Sequence, residues 1–351
     1  MKIDSTTIVP AAEERVAEAA RVQVAEFAAL PDHRLALAAD VRRGLMLAQK
    51  ELPPKYFYDE RGAMLFEAIC DLPEYYQTRT ERGILDAIAD DLVSGARAST
   101  LVEFGSGSSS KTRVLLNAMS RAGQLGTYVP LDISREMLLE TAEQLVAEYD
   151  ELNVRAVIAD FAMPLPPITV EGNALVIFLG GTIGNFREDE AKRFLRNVAE
   201  TMRPGDRFMV GVDLVKDPWE LNAAYNDAAG ITAEFNLNVL DVINRELAAD
   251  FDRSQFTHYA FYNPGESQIE MHLASRRDQE VTIAALGMYV RFERGETIRT
   301  EISRKFTRTS IARLLAAAGL ELCAFHADGD NRFALCVASL SGACETEHTT
   351  H

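Results

Sequence analysis

Beyond Thr100, short runs of consecutive apolar residues alternate with stretches in which apolar positions recur every three or four residues. The runs Leu101–Phe104, Tyr128–Leu131, Arg155–Ile158, Leu175–Leu179 and Phe208–Val212 predict strands, and Thr112–Met119, Arg135–Tyr149 and Asp189–Met202 predict helices between them. Strands apolar on both faces and separated by helices form a parallel sheet with helices packed on either side. The rhythm breaks after Asp213. Residues 217–247 carry long helical patterns, and then Phe256–Tyr262, Ile269–Ala274, Val281–Ala285, Tyr289–Phe292 and Thr297–Ser303 predict consecutive antiparallel strands. A helix at Thr309–Ala318 and strands at Leu322–Phe325 and Phe333–Ala338 would complete the first sheet at its edge.

Ahead of this block, Val16, Ala20, Val24 and Phe27 have helical spacing, so Ala11–Ala29 reads as an amphipathic helix or a loosely held arm. Asp40–Leu47 and Ala63–Ile69 predict helices, with Pro53-Pro54 and Pro73 in the loops between. The expected architecture is an α/β parallel-sheet domain over residues 80–215 and 305–340. A second, α+β domain is expected from residues 31–79 and 216–304, with an N-terminal extension at 1–30 and a polar tail at 341–351. A chain of 351 residues is long enough for such a division.

Charge narrows the partners. Against 36 Lys plus Arg stand 53 Asp plus Glu, a formal net charge of -17, with no basic run to interrupt the excess. Nucleic acid and anionic membranes are poor partners for such a surface; a small-molecule substrate and a monomer are expected. Cys70, Cys323, Cys336 and Cys344 have neither metal-ligand nor disulfide-framework spacing, which fits a reducing cytoplasm. The segment Met1-Lys2-Ile3-Asp4 opens no signal-peptide core, and no apolar run approaches the ~20 residues of a membrane helix.

The chemistry begins at Glu103-Phe104-Gly105-Ser106-Gly107-Ser108-Ser109-Ser110, where the first strand gives way to a helix. Gly105 and Gly107 can adopt backbone angles closed to other residues and let a ligand approach the main chain at the positive end of the helix. The third glycine of a dinucleotide fingerprint is a serine, which favours a nucleoside without a pyrophosphate. Taken alone the glycine pair is equally a tight strand-to-helix turn. Asp132, at the end of the second strand, could bond both ribose hydroxyls, and with it in place adenosine is the favoured ligand.

Several stretches together carry a resemblance: Pro54-Lys55-Tyr56-Phe57-Tyr58-Asp59, Leu72-Pro73-Glu74-Tyr75-Tyr76, the Gly105 turn, Phe178-Leu179-Gly180-Gly181-Thr182-Ile183-Gly184-Asn185, Asp213-Leu214-Val215-Lys216-Asp217, Ala224-Tyr225-Asn226-Asp227 and Thr300-Glu301-Ile302-Ser303-Arg304-Lys305-Phe306. From about Arg34 to Ser339 the chain resembles the S-adenosylmethionine-dependent L-histidine Nα-methyltransferases, which make the trimethylated betaine hercynine at the start of ergothioneine biosynthesis. The resemblance implies a class I, Rossmann-like methyltransferase domain with a second α+β substrate-binding domain. It implies that Gly105, Gly107, Lys111, Asp132, Asp160 and Phe161 contact S-adenosyl-L-methionine. Tyr58, Tyr75, Gly180, Asn185, Tyr225, Met271, Glu301 and Ser303 would surround the amino acid, with Tyr58 and Asn185 in the catalytic positions. For Asp160 a helix cap is an equal reading from spacing alone.

Glu301 and Ser303 stand two apart on a predicted strand, so their side chains share a face, and a carboxylate plus a hydroxyl can bond both nitrogens of an imidazole. No general base is assigned, since Tyr58 or water can relay the proton, and no metal is called for. Two rivals are weighed. One is an N-methyltransferase of another amino acid such as a tryptophan derivative, which would leave Glu301 poorly paired. The other is a non-catalytic sensor of S-adenosylmethionine or histidine, in which loss of these residues would be expected.

Overall fold

The structure, a computed structural model, describes residues 21–26, 32–106, 111–160, 168, 171–342 and 344. In chain order its elements are β1 (Val22–Glu26), α1 (His33–Leu45), β2 (Lys50–Glu51), α2 (Glu60–Cys70), α3 (Gln77–Ala96), β3 (Ala98–Phe104), α4 (Thr112–Arg121), β4 (Thr127–Asp132), α5 (Arg135–Glu148), β5 (Asn153–Ile158) and β6 (Asn173–Phe178). There follow α6 (Glu188–Thr201), β7 (Arg207–Asp213), α7 (Pro218–Ala224), α8 (Ile231–Leu247), β8 (Phe256–Asn263), β9 (Gln268–Ser275), β10 (Gln279–Ile283), β11 (Met288–Phe292), β12 (Thr297–Arg304), α9 (Arg308–Ala316), β13 (Leu320–Ala327) and β14 (Phe333–Leu340). The chain divides into two compact units. The first takes β1 with Ile88–Ile177 and Glu200–Phe208; the second takes the described residues of Ala29–Ala87, Phe178–Ala199 and Met209–His351.

In the first unit the strands run in the order β1-β5-β4-β3-β6, all parallel. The chain steps outward from β3 through β4 to β5 and then returns to the other side of β3 for β6. The strand order therefore reverses at β3, and in parallel sheets ligands bind beyond the strand ends at such a reversal. Both faces are covered, which is why β3 through β6 read as unbroken apolar runs. Leu101, Leu131, Val154 and Leu175 are fully buried.

Val22–Glu26 corrects the helical expectation for its stretch, because it is a strand, paired from Val22 opposite Val154 to Glu26 opposite Ile158. The open edge of β5 offers backbone donors and acceptors that outweigh local propensity. Arg21 anchors the entry by donating to the carbonyls of Val146 and Tyr149, each at 2.8 Å. The other residues of Ala11–Ala29, apart from Arg21, lie outside the described ones.

The second unit is built around α8. Its face of Phe235, Val239, Leu240, Ile243 and Leu247 packs in one cluster with Leu37, Val41 and Leu45 of α1 and with Phe57, whose ring lies 4.7 Å from that of Phe235. Such aromatic pairs add about 1 kcal/mol beyond area burial. Local rules set the helix starts. Asp32 caps α1, Asp59 caps α2, and Asp217 followed by Pro218 opens α7.

The predicted five-strand run is not one meander. β8, β9 and β12 pair antiparallel, with β2 beside β12, whereas β10 and β11 form a separate hairpin. The hairpin's inward residues Val281, Ile283, Val290 and Phe292 belong to the α8 cluster. Burying them there turns the hairpin out of the sheet, and Gly295 N–H rejoins the Ser275 carbonyl at 2.8 Å so that β12 resumes beside β9. β14 follows β7 in the sheet, with β13 antiparallel at its edge. A disulfide joins Cys323 to Cys344, with Cα atoms 5.5 Å apart, a pairing that the cysteine spacing did not predict. A separation of 21 residues carries no framework signal, because β13 and Cys344 meet only through the fold. Among the described residues no helix is long and apolar enough to cross a membrane.

Candidate active site

At the reversal point of the first unit, the ends of three adjacent strands bring together Gly105, Asp132 and Asp160. Gly105 directly follows β3 at φ 68°, a conformation that only glycine adopts without strain, and its N–H bonds to the Leu131 carbonyl at 2.8 Å. Asp132 closes β4, and its Oδ1 accepts from Ser134 N–H at 3.1 Å. Asp160 follows β5 by two residues, and Lys111 directly precedes α4. Gly107 and Phe161 lie outside the described residues.

Glu103, the penultimate residue of β3, braces the turn from beneath. It is buried, and it accepts from Thr112 Oγ1 at 2.6 Å at the start of α4 and from the Tyr128 hydroxyl on β4. Burial pushes its carboxyl up to about 7, against the opposing pull of those two hydroxyls and of Lys111. A left-handed glycine with two carboxylates on adjacent strand ends is a suitable cradle for a ribose and base. The residues present therefore fit an adenosyl cofactor.

The second unit holds the other set. Tyr58, Tyr75, Gly180, Asn185, Tyr225, Met271, Glu301 and Ser303 line a single cavity, joined by Phe66, Phe235, Gln77 and Thr232. Glu301 stands directly opposite Met271 in the β12–β9 register, and Ser303 opposite Ile269, so one sheet face presents the acid, the thioether and the hydroxyl. The Glu301 carboxyl makes no hydrogen bond to the described protein. Burial pushes it up to about 7, partly offset by the charge of Lys305. Opposite in character is the aromatic wall. Tyr58 meets Phe66 and Phe235 edge-on, each at 5.5 Å between centroids, and Tyr75 meets Tyr225 at 6.4 Å.

Beneath the polar face runs a network that the residue pattern did not disclose. The fully buried Lys305 ammonium pairs with Asp213 Oδ2 at 2.8 Å and donates to Ser303 Oγ at 2.8 Å and to the Tyr225 hydroxyl at 3.1 Å. Tyr225 donates to Ser303 Oγ at 2.8 Å. Asp213 also accepts from Lys216 at 2.5 Å and from Tyr76 at 2.9 Å. Burial alone would raise Asp213 and lower Lys305. The Lys305 and Lys216 charges instead hold the Asp213 carboxyl below its usual range, and the Asp213 charge keeps Lys305 protonated.

One further polar side chain faces the cavity: Gln77, 4% exposed at the start of α3, has neither amide atom paired among the described residues. Natural cores rarely leave such a group without a partner. The loop carrying Gly180 and Asn185 is held from behind. The buried Glu81 carboxylate accepts from Gly180 N–H through both oxygens, at 2.8 and 2.9 Å, and it reaches that position only because Gly211 has no side chain. A single spacing clue, Gln77 directly after Tyr75-Tyr76, lay in the sequence; Glu81 and Lys305 left none.

The histidine-specific, S-adenosylmethionine-dependent methyltransferase family matches residues 37–340. The chain belongs to that family. A histidine N-alpha-methyltransferase of Mycolicibacterium smegmatis is 45% identical over 317 residues, covering 90% of this chain and 99% of that protein. Ergothioneine biosynthesis protein 1 of Neurospora crassa is 32% identical over 281 residues, 78% of this chain and 31% of that longer protein. An L-tryptophan methyltransferase of Psilocybe serbica is 28% identical over 320 residues, 81% of this chain and 87% of that protein.

Proposed function

We propose that this chain transfers three methyl groups from S-adenosyl-L-methionine to the α-amino nitrogen of L-histidine, forming hercynine, the first step of ergothioneine biosynthesis. The observation that carries the choice of amino acid is the unpaired Glu301 carboxyl two residues from the Ser303 hydroxyl on one face of β12. An imidazole has one N–H donor and one lone-pair acceptor, and this pair supplies the complement to each. Asn185, whose amide makes no hydrogen bond within the described protein, and Tyr225 would hold the carboxylate and amine end. Tyr58 and Tyr75 would wall the pocket.

Gly105, Asp132 and Asp160 would hold the cofactor, with Lys111 beside them and Gly107 and Phe161 contributing from outside the described residues. When bound, the cofactor supplies an electrophilic methyl group on a sulfonium. The chain's own contribution is to hold the amine in line for that displacement, a positioning effect that can provide several kcal/mol. An α-amino group titrates near ~8, so a fraction is already neutral at ordinary pH, and Tyr58 or water can carry the proton away. Successive methylations leave a permanent cation, for which the faces of Tyr58 and Tyr75 are favourable neighbours.

Mass spectrometry of the purified protein with S-adenosylmethionine and each of histidine and tryptophan tests this reading. Stepwise gains of one, two and three methyl groups on histidine are expected. The tryptophan reading has the Psilocybe serbica relative in its favour, but an indole has no second ring nitrogen to meet both groups. Methylation of tryptophan in preference to histidine would select that reading, and binding without turnover would select a sensor.

A further inference from the structure

Three buried groups fix the direction of every hydrogen bond beneath the cavity. Lys305 has three protons, and all three are placed, on Asp213 Oδ2, Ser303 Oγ and the Tyr225 hydroxyl. Ser303 and Tyr225 are also bonded to each other at 2.8 Å. The two hydroxyls own two protons between them. One is spent on their mutual bond and neither can point at the ammonium, so the remaining proton must be donated outward, into the cavity that both residues line. Ser303 Oγ is the oxygen with both lone pairs filled at short range, from Lys305 at 2.8 Å and from Tyr225 at 2.8 Å, whereas the Lys305 contact to Tyr225 is 3.1 Å. Its own proton is the one left over.

We propose that Lys305 is a positioning residue that locks Ser303 as an obligate donor into the cavity, and that the site thereby selects the neutral imidazole of its substrate in a single tautomer. This rests on the histidine reading above and deepens it. The ring nitrogen that meets Ser303 must offer a lone pair, and the other must carry the proton that Glu301 accepts. An imidazolium has no lone pair and would set N–H against O–H at Ser303. Tyr225 keeps one open lone pair, which suits it to accept from the substrate's amine.

Other titratable groups surround this arrangement without changing the count. Asp213 and Lys216 face Lys305 from the end of β7 and the segment after it, Tyr76 from ahead of α3, Tyr225 from the end of α7 and Glu301 from β12 itself; Tyr58 and Tyr75 face the ring's place from the aromatic side. An ionised Glu301 favours a protonated ring, and the Ser303 donor opposes it. The state of the bound ring therefore reports which of the two prevails.

The test is ¹⁵N NMR of ring-labelled histidine bound with S-adenosylhomocysteine, in the wild-type protein and in Lys305→Met, from pH 5.5 to 8. In the wild type one protonated and one hydrogen-bonded, unprotonated ring nitrogen are expected at pH 6, below the ~6.5 at which a free imidazole titrates. In Lys305→Met one lone pair of Ser303 is released, the ring's titration moves up by one unit or more, and histidine affinity weakens about tenfold, the scale of one charge-linked hydrogen bond. A doubly protonated ring in the wild-type complex at pH 6 overturns the proposal, whether or not the variant folds. So does a Lys305→Met protein that binds more weakly with the ring titration unmoved, because that is the behaviour of a structural residue. Glu301→Ala separates the underlying reading. If it leaves histidine affinity intact, the ring is not in this cavity and both fall; if it abolishes binding while Lys305→Met leaves the titration alone, only the role of Lys305 falls.

Discussion

Replacing Gly211 by alanine should damage a loop that the new methyl group never touches. A Cβ built at Gly211 stands 2.1 Å from Glu81 Oε1 and 3.1 Å from Phe333 Cε1, where ordinary contact begins at about 3.4 Å. The carboxylate would have to withdraw by more than 1 Å in a region where Glu81 is fully buried. That motion breaks its two-oxygen bond with Gly180 N–H, now 2.8 and 2.9 Å. A hydrogen bond to a charged group contributes about 1.5–3 kcal/mol, and stranding its buried partner adds more, so a loss of roughly 2–4 kcal/mol is expected. With an unfolding entropy of about 2.1 cal/mol/K per residue, a chain of 351 residues shifts by about 1.4 °C per kcal/mol, so the melting temperature should fall by roughly 3–5 °C. The KM for the amino acid should rise as well, since Gly180 and Asn185 line the cavity. A double-mutant cycle isolates the cause. In a Glu81→Ala background the methyl group has room, and most of the added cost of Gly211→Ala should vanish. Equal costs in both backgrounds would refute the argument, and so would a stable Gly211→Ala protein with unchanged KM.

Three other outcomes follow from the same geometry. Asp132→Ala should weaken cofactor binding measured by calorimetry by about tenfold or more through lost ribose hydrogen bonds, and unchanged affinity would remove Asp132 from the site. Glu103 is raised to about 7 in the fold from an ordinary value of 4.5, so its contribution to stability is fully present below 4.5 and is lost as pH rises through 7. Glu103→Gln should therefore gain stability relative to wild type between pH 5 and pH 8, by up to about 3 kcal/mol; denaturant midpoints that stay parallel across that range would contradict it. Gln77→Leu should raise the KM for the amino acid while leaving the melting point unchanged or higher, because the amide satisfies no protein group. A large loss of stability with normal KM would make Gln77 a structural residue.

The parallel sheet was legible because its strands are buried on both faces, and a run such as Leu101–Phe104 has no competing periodicity. The ends of those strands were legible too, since Gly105 and Asp132 are marked by residue type. What escaped was decided by partners distant in sequence. Val24 has helical spacing, yet its backbone is claimed by the edge of β5. The β10–β11 hairpin reads like any other antiparallel pair, and only the apolar surface of α8 draws it from the sheet. On the site side, Glu301 and Ser303 were singled out by the family resemblance, and their spacing of two on one predicted strand implied a shared face. Lys305 lay in the same quoted stretch, but its meaning depends on Asp213, ninety-odd residues earlier in the chain, and no spacing rule links them. Gln77 and Glu81 are ordinary helix residues until burial shows one without a partner and the other holding a glycine loop.

The central claim is that the carboxyl at Glu301, paired across the sheet with Met271, chooses the amino acid. Steady-state kcat/KM for histidine and tryptophan in Glu301→Ala combined with Met271→Val measures it most directly, because the pair of changes removes the acceptor and widens the pocket beside it. The expected result is a fall in kcat/KM for histidine of about 10–150-fold, the range of one charge-assisted hydrogen bond, with discrimination against tryptophan reduced. A double variant that methylates histidine with wild-type kinetics and still rejects tryptophan would contradict the account.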